Sequence, residues 1–295
     1  GGKPPCFAVK KQHFTLLMKI QFLGTAAAEG VPAMFCNCPV CEGVRALGQA
    51  EFRTRTQVLI DGKLSVDFPP EAYFHSLKYG FNCADIRYLL VTHSHMDHFY
   101  AHDFILRGYR YGSGFDGRLD IYGNAEVCAV FSECTRREMK PSVAPNVAMN
   151  GIGAYKSYNI GGYRVLTLPA NHGHTEEALL FYIEKDGAGY LHMHDTGLPE
   201  EGIYDFLHKN GARAQLVALD CTYADRTGMP RPRHMNIEDG MIVASKLKAA
   251  GVCDGNTKFV ITHFSHNSNP LRSRLAAVEG KYGVTAAYDG FTAEI

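Results

Sequence analysis

The densest concentration of reactive side chains is Thr92-His93-Ser94-His95-Met96-Asp97-His98, where four potential metal ligands fall within six residues. Neutral imidazole and carboxylate suit zinc, manganese, iron or nickel. The cluster directly follows an apolar run ending at Val91, and a tight turn after a buried strand can aim such a group at one point. H-x-H-x-D-H is far more specific than a lone histidine, so metal binding is a better account than a histidine-rich polar loop. Two ions would need further ligands, and isolated ones follow other strand-like runs: His172 in Asn171-His172-Gly173, Asp195 in Asp195-Thr196-Gly197, and His263 after Thr262. Each alone reads as an ordinary hydrogen-bonded loop residue. Their joint placement is what points to a site.

A second group has different chemistry. Cys36, Cys38 and Cys41 form a C-x-C-x-x-C pattern, and His266 stands three residues beyond His263. Three thiolates and one imidazole make a closed tetrahedral set, which fits structural zinc better than catalytic metal. It would tie the loop near the N-terminus to the loop carrying His263. The remaining cysteines, Cys6, Cys83, Cys128, Cys134, Cys221 and Cys253, read as small core or surface residues.

Short β-rich runs must position these residues: Lys19 to Gly24, Thr56 to Ile60, Lys63 to Asp67, Arg87 to Thr92, Leu119 to Gly123, Tyr163 to Leu168, Ala178 to Glu184, Gly189 to His194 and Lys258 to Ile261. Asp61-Gly62 and Asp186-Gly187 join two pairs as hairpins, which implies antiparallel pairing. Helical patterns cover Pro70 to Lys78, Ile237 to Ala250 (Asn236 as cap, Gly251 as terminator) and Leu271 to Tyr282, and a last strand-like run is Val284 to Ala287. Meanders with helices at intervals predict a layered α+β architecture rather than strict βαβ alternation. Tyr109 to Tyr158 is the least readable stretch, in which Gly112-Ser113-Gly114 and Pro141 to Gly153 look like loop or lid, and there is no internal repeat.

The 295 residues are 46% hydrophobic and carry equal numbers of basic and acidic side chains. That excludes a global positive field for nucleic acid or an anionic membrane and favours small substrates. Apolar runs are strand-length, the start lacks a signal-peptide core, and the cysteine usage is not a secreted disulfide framework. The expectation is a cytoplasmic protein with residues 18–295 as one domain. Residues 1–17 read as an N-terminal extension or, at Gly1 and Gly2, an expression remnant.

The H-x-H-x-D-H motif, then a His, an Asp and a final His at strand ends, resembles the metallo-β-lactamase superfamily from Met18 onward. The resemblance implies a four-layer αββα sandwich and a dinuclear hydrolase using Mn²⁺ or Zn²⁺. By it, His93, His95 and His172 hold one ion, Asp97, His98 and His263 the other, and Asp195 bridges both. His174, His192 and His194 lie beside matched positions and compete as ligands or as their hydrogen-bond partners. With the Cys36-Cys38-Cys41-His266 group and the segment Arg233-His234-Met235-Asn236, the chain is similar to the phosphoribosyl 1,2-cyclic phosphate phosphodiesterase family of the carbon-phosphorus lyase pathway. That likeness implies a small cyclic phosphodiester substrate, attack by a metal-bridging hydroxide, and His234 as proton donor, with Asp97 and Asp195 the other catalytic residues. Against His234 stands the plain reading of a helix-capping neighbour.

Arg107 could assist a phosphate, though a solvated arginine is the simpler reading. A tRNA 3′ end-processing endonuclease shares the ligands but would want a basic clamp, for which Thr135 to Lys140 is the sole, short candidate, so nucleic acid is the less favoured partner. Lactonase and other acyl hydrolase chemistries also run on this fold. A non-catalytic accessory protein, resembling the pyrroloquinoline quinone biosynthesis B family in its cysteine loop, is disfavoured by the full motif. A homodimer is compatible with everything above.

Overall fold

A computed structural model describes residues 17–173, 175–228 and 233–295. The extension before Leu17, Cys6 and His174 therefore lie outside the described residues.

The first half of the chain builds one sheet from β1 (Lys19–Gly24), β2 (Gln57–Ile60), β3 (Leu64–Val66), β4 (Tyr88–Leu90), β5 (Leu119–Gly123) and β6 (Val147–Gly151). It is accompanied by α1 (Pro39–Leu47), α2 (Ala72–Tyr79) and α3 (Ala125–Thr135). The second half builds another from β7 (Lys156–Ile160), β8 (Tyr163–Pro169), β9 (Leu179–Lys185), β10 (Ala188–Met193), β11 (Leu216–Asp220), β12 (Lys258–Thr262) and β13 (Thr285–Ala286). Helices α4 (Gly202–Lys209), α5 (Ile237–Ala249) and α6 (Arg272–Tyr282) connect its later strands, and β14 (Phe291–Glu294) returns to pair with β1. The orders are β14-β1-β2-β3-β4-β5-β6 and β13-β12-β11-β10-β9-β8-β7.

The hairpins form as read. Asp61 and Asp186 take positive φ ahead of Gly62 and Gly187, and β2–β3 and β9–β10 are antiparallel. The general expectation of antiparallel pairing needs correction, because β3 through β6 and β10 through β13 pair in parallel. Helices α4, α5 and α6 are crossovers between successive parallel strands, which a hairpin cannot join. Tyr109 to Tyr158 is likewise not one loop: it contains β5, α3, β6 and the start of β7. β6 and β7 are edge strands whose Asn150, Lys156 and Asn159 are partly or fully exposed. Such polar edges lack the alternation that reveals a half-buried strand.

Burial on both faces creates the four layers. In β11, Leu216 and Ala218 join the core between the sheets with Phe22, Val66, Leu90, Phe181 and Tyr190. Val217 and Leu219 face the other way, toward Ile203, Leu207, Val243, Leu247 and Leu275 of the helices. The first sheet packs its outer face, with Leu59, Leu89 and Ile121, against Phe99, Phe104 and Val127. The result is the α+β, αββα sandwich, and the parallel strands of both sheets deliver their C-terminal ends to one shared rim, where α/β sheets place ligands. Helix α5 starts at the expected Asn236, in a capping box with Asp239, and Gly251 takes positive φ after its last turn.

Gly24 closes β1 where the register with β2 shifts, and a Cβ there would lie 1.9 Å from the Arg55 carbonyl oxygen. Gly24→Ala is expected to destabilise the fold by about 1–3 kcal/mol, the range for forced overpacking. The readout is a lowered urea midpoint at unchanged slope, and a wild-type midpoint would contradict the close approach.

Candidate metal centre and its surroundings

The motif leaves β4 through Val91 and Thr92, both buried, so its side chains must turn sharply into the rim. Asp67, directly after β3, takes φ 62° and grips the turn: its carboxylate accepts from Thr92 N (2.9 Å) and meets His98 Nδ1 at 2.7 Å. That contact orients His98 so that Nε2 faces Asp97 (3.2 Å) and Asp195 (3.2 Å). Asp195 (φ 55°) and His263 (φ 64°) also adopt the left-handed conformation immediately beyond their strands. Non-glycine residues rarely do so, and the same device at three strand ends aims three functional side chains at one point.

All seven residues expected from the motif and the later strand ends converge. The ligand atoms of His93, His95, His172 and Asp195 lie within 4.8 Å of one another, as do those of Asp97, His98, Asp195 and His263. Asp195 belongs to both groups and stands 2.9 Å from His172 Nδ1 and 3.4 Å from His93 Nε2. Among the described residues, His98 Nε2, both His172 ring nitrogens, His263 Nε2 and Asp195 Oδ1 are buried without a well-formed hydrogen bond, close as several of them stand to one another. Buried polar atoms are ordinarily satisfied. A convergent set of such lone-pair donors fits divalent cations.

Electrostatics agrees. Burial pushes the Asp195 carboxyl up, but His263, His172, His234 and His98 outweigh it and hold the group well below the usual carboxylate range. Asp97 is likewise pushed up by burial and, on balance, pulled down by His98. His93 is held well below its ordinary value by burial and by the neighbouring imidazoles, so it keeps a lone pair for ligation.

His234 is more closely engaged than a capping neighbour would be. Its Nδ1 lies 2.9 Å from Asp195 Oδ1 and 3.4 Å from Asp220 Oδ2, and its ring stacks on His263 with centroids 5.6 Å apart. Burial opposes its charge, yet bonds to Asp195 and Asp220 push it up to about 11. With His263, Asp195 and Asp220 it makes a third convergent group.

Asp220 was missed by sequence reasoning. It ends β11, whose Leu216-Val217-Ala218-Leu219 run is apolar on both faces and so shows no alternation. Fully buried, it accepts from Thr222 N (3.0 Å), Met235 N (3.0 Å) and Thr196 N (3.3 Å), and it faces His263 Nδ1 at 3.4 Å. One carboxylate thus fixes the loops bearing Asp195, His234 and His263. An Asp at the end of an apolar run, matching Asp195 in position, was the available signal.

His192 and His194 are fully buried with their rings tilted against each other, centroids 3.8 Å apart, but they join no ligand group among the described residues. Their Nδ1 atoms turn to Tyr190 Oη (3.0 Å) and Thr56 Oγ1 (3.4 Å). The solvated reading of Arg107 needs correction. It is half-buried over the Phe115 ring, with Nη2 toward the Ala84 and Gly117 carbonyls, in a cavity of about 660 Å³ whose lining includes none of the convergent side chains. Packing on an aromatic ring holds it there. Arg136 and Arg137, just beyond α3, are solvent-exposed.

Cys36, Cys38, Cys41 and His266 also converge within 4.8 Å. Cys38 caps α1, Cys41 lies in its first turn, and His266 Nδ1 is 3.3 Å from Cys41 Sγ and 3.6 Å from Cys38 Sγ. Backbone N–H groups of Ala33 and Cys38 donate to Cys41 and Cys36 sulfur, as thiolate ligands require. The Cys41 backbone and His266 lower the Cys38 thiol to about 6, whereas burial raises Cys41 to about 11. Cys83, Cys128, Cys134, Cys221 and Cys253 are unpaired, in keeping with their plain reading.

Two facing mixed sheets, helices outside both, and a His/Asp cluster at their common rim define the metallohydrolase class built on the metallo-β-lactamase fold. Residues 56–264 match the family model described as a beta-lactamase superfamily domain, and the chain belongs to that superfamily. Among solved structures, a diphosphatase of the PhnP family is 22% identical with a TM-score of 0.70, covering 94% of this chain and 98% of its own. Zn²⁺-bound PqqB from Methylobacterium extorquens is 18% identical (TM-score 0.68; 94% and 100% covered). The short form of human tRNase Z is 16% identical (TM-score 0.62; 93% and 98%). At these identities the likeness is one of fold. No curated protein sequence matches the chain. No helix among the described residues is long and apolar enough to cross a membrane.

Two outcomes test this arrangement. In metal-free protein, Asp220→Asn is expected to bring the His234 pKa down from about 11, as followed by histidine NMR titration. Because the folded value is raised, His234 adds stability that is complete below its ordinary value of about 6.5 and is lost as pH rises through the folded value. An unchanged titration would remove Asp220 from the cause. Separately, Cys38→Ser and His266→Ala are each expected to lose one zinc per chain by elemental analysis while other bound metal stays, and unchanged zinc in folded variants would exclude the site.

Proposed function

We propose that this metallohydrolase-fold protein is a dinuclear phosphodiesterase that opens a cyclic, ribosyl-type phosphodiester. In this reading His93, His95 and His172 hold one catalytic ion, Asp97, His98 and His263 the other, and Asp195 bridges them. Cys36, Cys38, Cys41 and His266 hold a structural zinc. When bound, two Mn²⁺ or Zn²⁺ ions supply Lewis acidity, lowering the pKa of water and neutralising phosphate oxygens.

The observation that carries the reading is His234, seated at the rim against Asp195 and Asp220 by its Nδ1. Hydrolysis forms one P–O bond to water and breaks one P–O bond to the sugar, whose departing oxygen needs a proton. His234 is partly exposed, and among the described residues its Nε2 has no hydrogen-bond partner, so that edge is open to a substrate. Held protonated by two carboxylates, it donates to the alkoxide and recovers a proton from solvent. Asp220 keeps the ring in register and excludes rotation. Tyr223, whose ring meets that of His234 edge-on at 5.8 Å, walls the same side. A poor, alkoxide leaving group is where such an acid matters most, and a ribose ester is one. The PhnP-family diphosphatase shares the fold, so a diphosphate belongs in any substrate comparison.

Asp97→Ala and Asp195→Ala are each expected to lose most activity together with one bound ion. His234→Ala should retain both ions and lose about 100-fold or more in turnover, the usual scale for a positioned acid. The loss should shrink on a nitrophenyl phosphodiester, whose leaving group departs unprotonated, and equal impairment on alkyl and aryl esters would refute the acid role. The reading as a whole is checked by kcat/KM on ribose 1,2-cyclic phosphate, nucleoside 2′,3′-cyclic phosphates, a dinucleoside diphosphate, precursor tRNA and an acyl homoserine lactone. A tenfold preference for any of the last three, about 1.4 kcal/mol, would replace it.

A further inference from the structure

Ser94 stands between two of the motif's histidines, and its polar atoms turn away from the metal groups. Its N–H donates to Glu176 (3.0 and 3.2 Å to the two carboxylate oxygens), and its hydroxyl donates to Glu176 Oε1 at 2.7 Å. Glu176 is four residues beyond His172. The loop that carries both is closed at its base by Ala170 N to Ala178 O (2.8 Å), so His172 lies on the outgoing limb and Glu176 on the returning one. A third element joins through Asn124, the cap of α3, whose Nδ2 donates to Glu176 Oε2 (2.8 Å) and to the Glu177 carbonyl (2.9 Å). Asn124 Oδ1 accepts from Val127 N, which fixes the amide's orientation.

These bonds matter most to one of the two ligand sets. His98 is locked by Asp67 and His263 by Thr222 and Asp220. His95 is solvent-exposed, and its one side-chain hydrogen-bond contact among the described residues is His93 Nε2 at 2.9 Å. Among the described residues His172 approaches only Asp195, within the cluster itself (Nδ1 to Oδ1, 2.9 Å), and neither ring nitrogen makes a well-formed hydrogen bond. His93 Nδ1 meets Thr92 Oγ1 at 3.0 Å, so His95 and His172 are the members of this set that depend on backbone placement. Leu179 N to Thr92 O (2.8 Å) joins the two segments at the base of the loop, and the bonds from Ser94 to Glu176 join them beside the histidines themselves.

Resting on the dinuclear reading above, we propose that Glu176 is a positioning residue that sets the His93/His95/His172 site and leaves the Asp97/His98/His263 site untouched. It reaches the ion only through Ser94 and its own loop. Partners of this kind commonly change metal affinity 10–100-fold.

Stepwise Co²⁺ titration of chelator-treated protein that retains its cysteine-bound zinc, followed by absorbance and calorimetry, tests this without recourse to turnover. Wild type should show two binding steps, with His95→Ala and Asp97→Ala marking which step belongs to which site. Glu176→Ala is expected to weaken the His95-dependent step by about 10–100-fold and to leave the Asp97-dependent step within twofold. Glu176→Gln, which can still accept one bond but turns an N–H toward another donor, should fall between, and Ser94→Ala should weaken the same step less. The double variant Ser94→Ala/Glu176→Ala should weaken it by less than the product of the two single effects. Retained zinc and thermal midpoint report folding, and if Glu176→Ala does not fold, the Gln and Ser94 variants decide alone. Wild-type behaviour of the folded Glu176 and Ser94 variants, or equal weakening of both steps, would overturn the positioning role. Fewer than two Co²⁺ ions bound by wild type would instead overturn the dinuclear reading itself.

Discussion

Asp195 is deeply buried and surrounded by imidazoles: His172 and His234 at 2.9 Å, His98 at 3.2 Å, His93 at 3.4 Å and His263 at 3.8 Å. A carboxylate taken out of water at such depth is costly unless it is paired. The five rings cannot all be cationic, because they repel one another, so no protonation pattern satisfies every member of the cluster. His93 is driven neutral while His98 is held protonated by Asp97 and Asp67, and several ring nitrogens still face one another without hydrogens to share. Cations at the centre would remove this conflict, since His93, His98, His172 and His263 would then present lone pairs and each carboxylate a charge, while His234 keeps its proton. The polypeptide tolerates the cluster because the two sheets pack a large apolar core directly behind it.

The rim is where such a cluster can be built. Parallel strands from both halves end there, and each ligand leaves its strand within a few residues, before flexibility can blur its aim. Left-handed residues make the turns, and buried carboxylates at two further strand ends, Asp67 and Asp220, hold the rings in orientation. Both halves follow the same plan, antiparallel strands first and parallel ones after, joined where β6 and β7 occupy corresponding edges. This doubling is invisible as sequence similarity because it is a repetition of pairing directions.

Much of this was legible in the residues. Strands that alternate or end in Asp-Gly turns were read with the right bounds to within a residue or two, and the converging side chains stood out because His and Asp recur at strand ends. The cysteine group was legible from spacing alone. What stayed hidden had a physical cause in each case. β11 is buried on both faces and shows no period, so Asp220 had no strand to be placed on. β6 and β7 are polar edges. Parallel pairing is decided by crossover helices far along the chain, and Glu176 acts through hydrogen bonds between segments 82 residues apart, a relation that no local pattern encodes. Arg107 was misread because stacking on Phe115 depends on a loop return that its own neighbours do not announce.

The pairing of β14 with β1, and of His266 with the cysteines, bears on how the chain matures during translation. Cys41 and its imidazole partner are separated by 225 residues. The N-terminal thiols therefore leave the ribosome long before the imidazole that converges with them, while β1 keeps one edge bare until β14 emerges. At the roughly 5–20 residues per second typical of synthesis, that interval is on the order of ten to forty seconds. Through it the nascent chain exposes both an open sheet edge and a set of nucleophilic sulfurs. On the proposed zinc reading of this group, early, loose capture of an ion by the three thiols would shield them from oxidation, and the arrival of His266 would then convert a temporary guard into a permanent clasp.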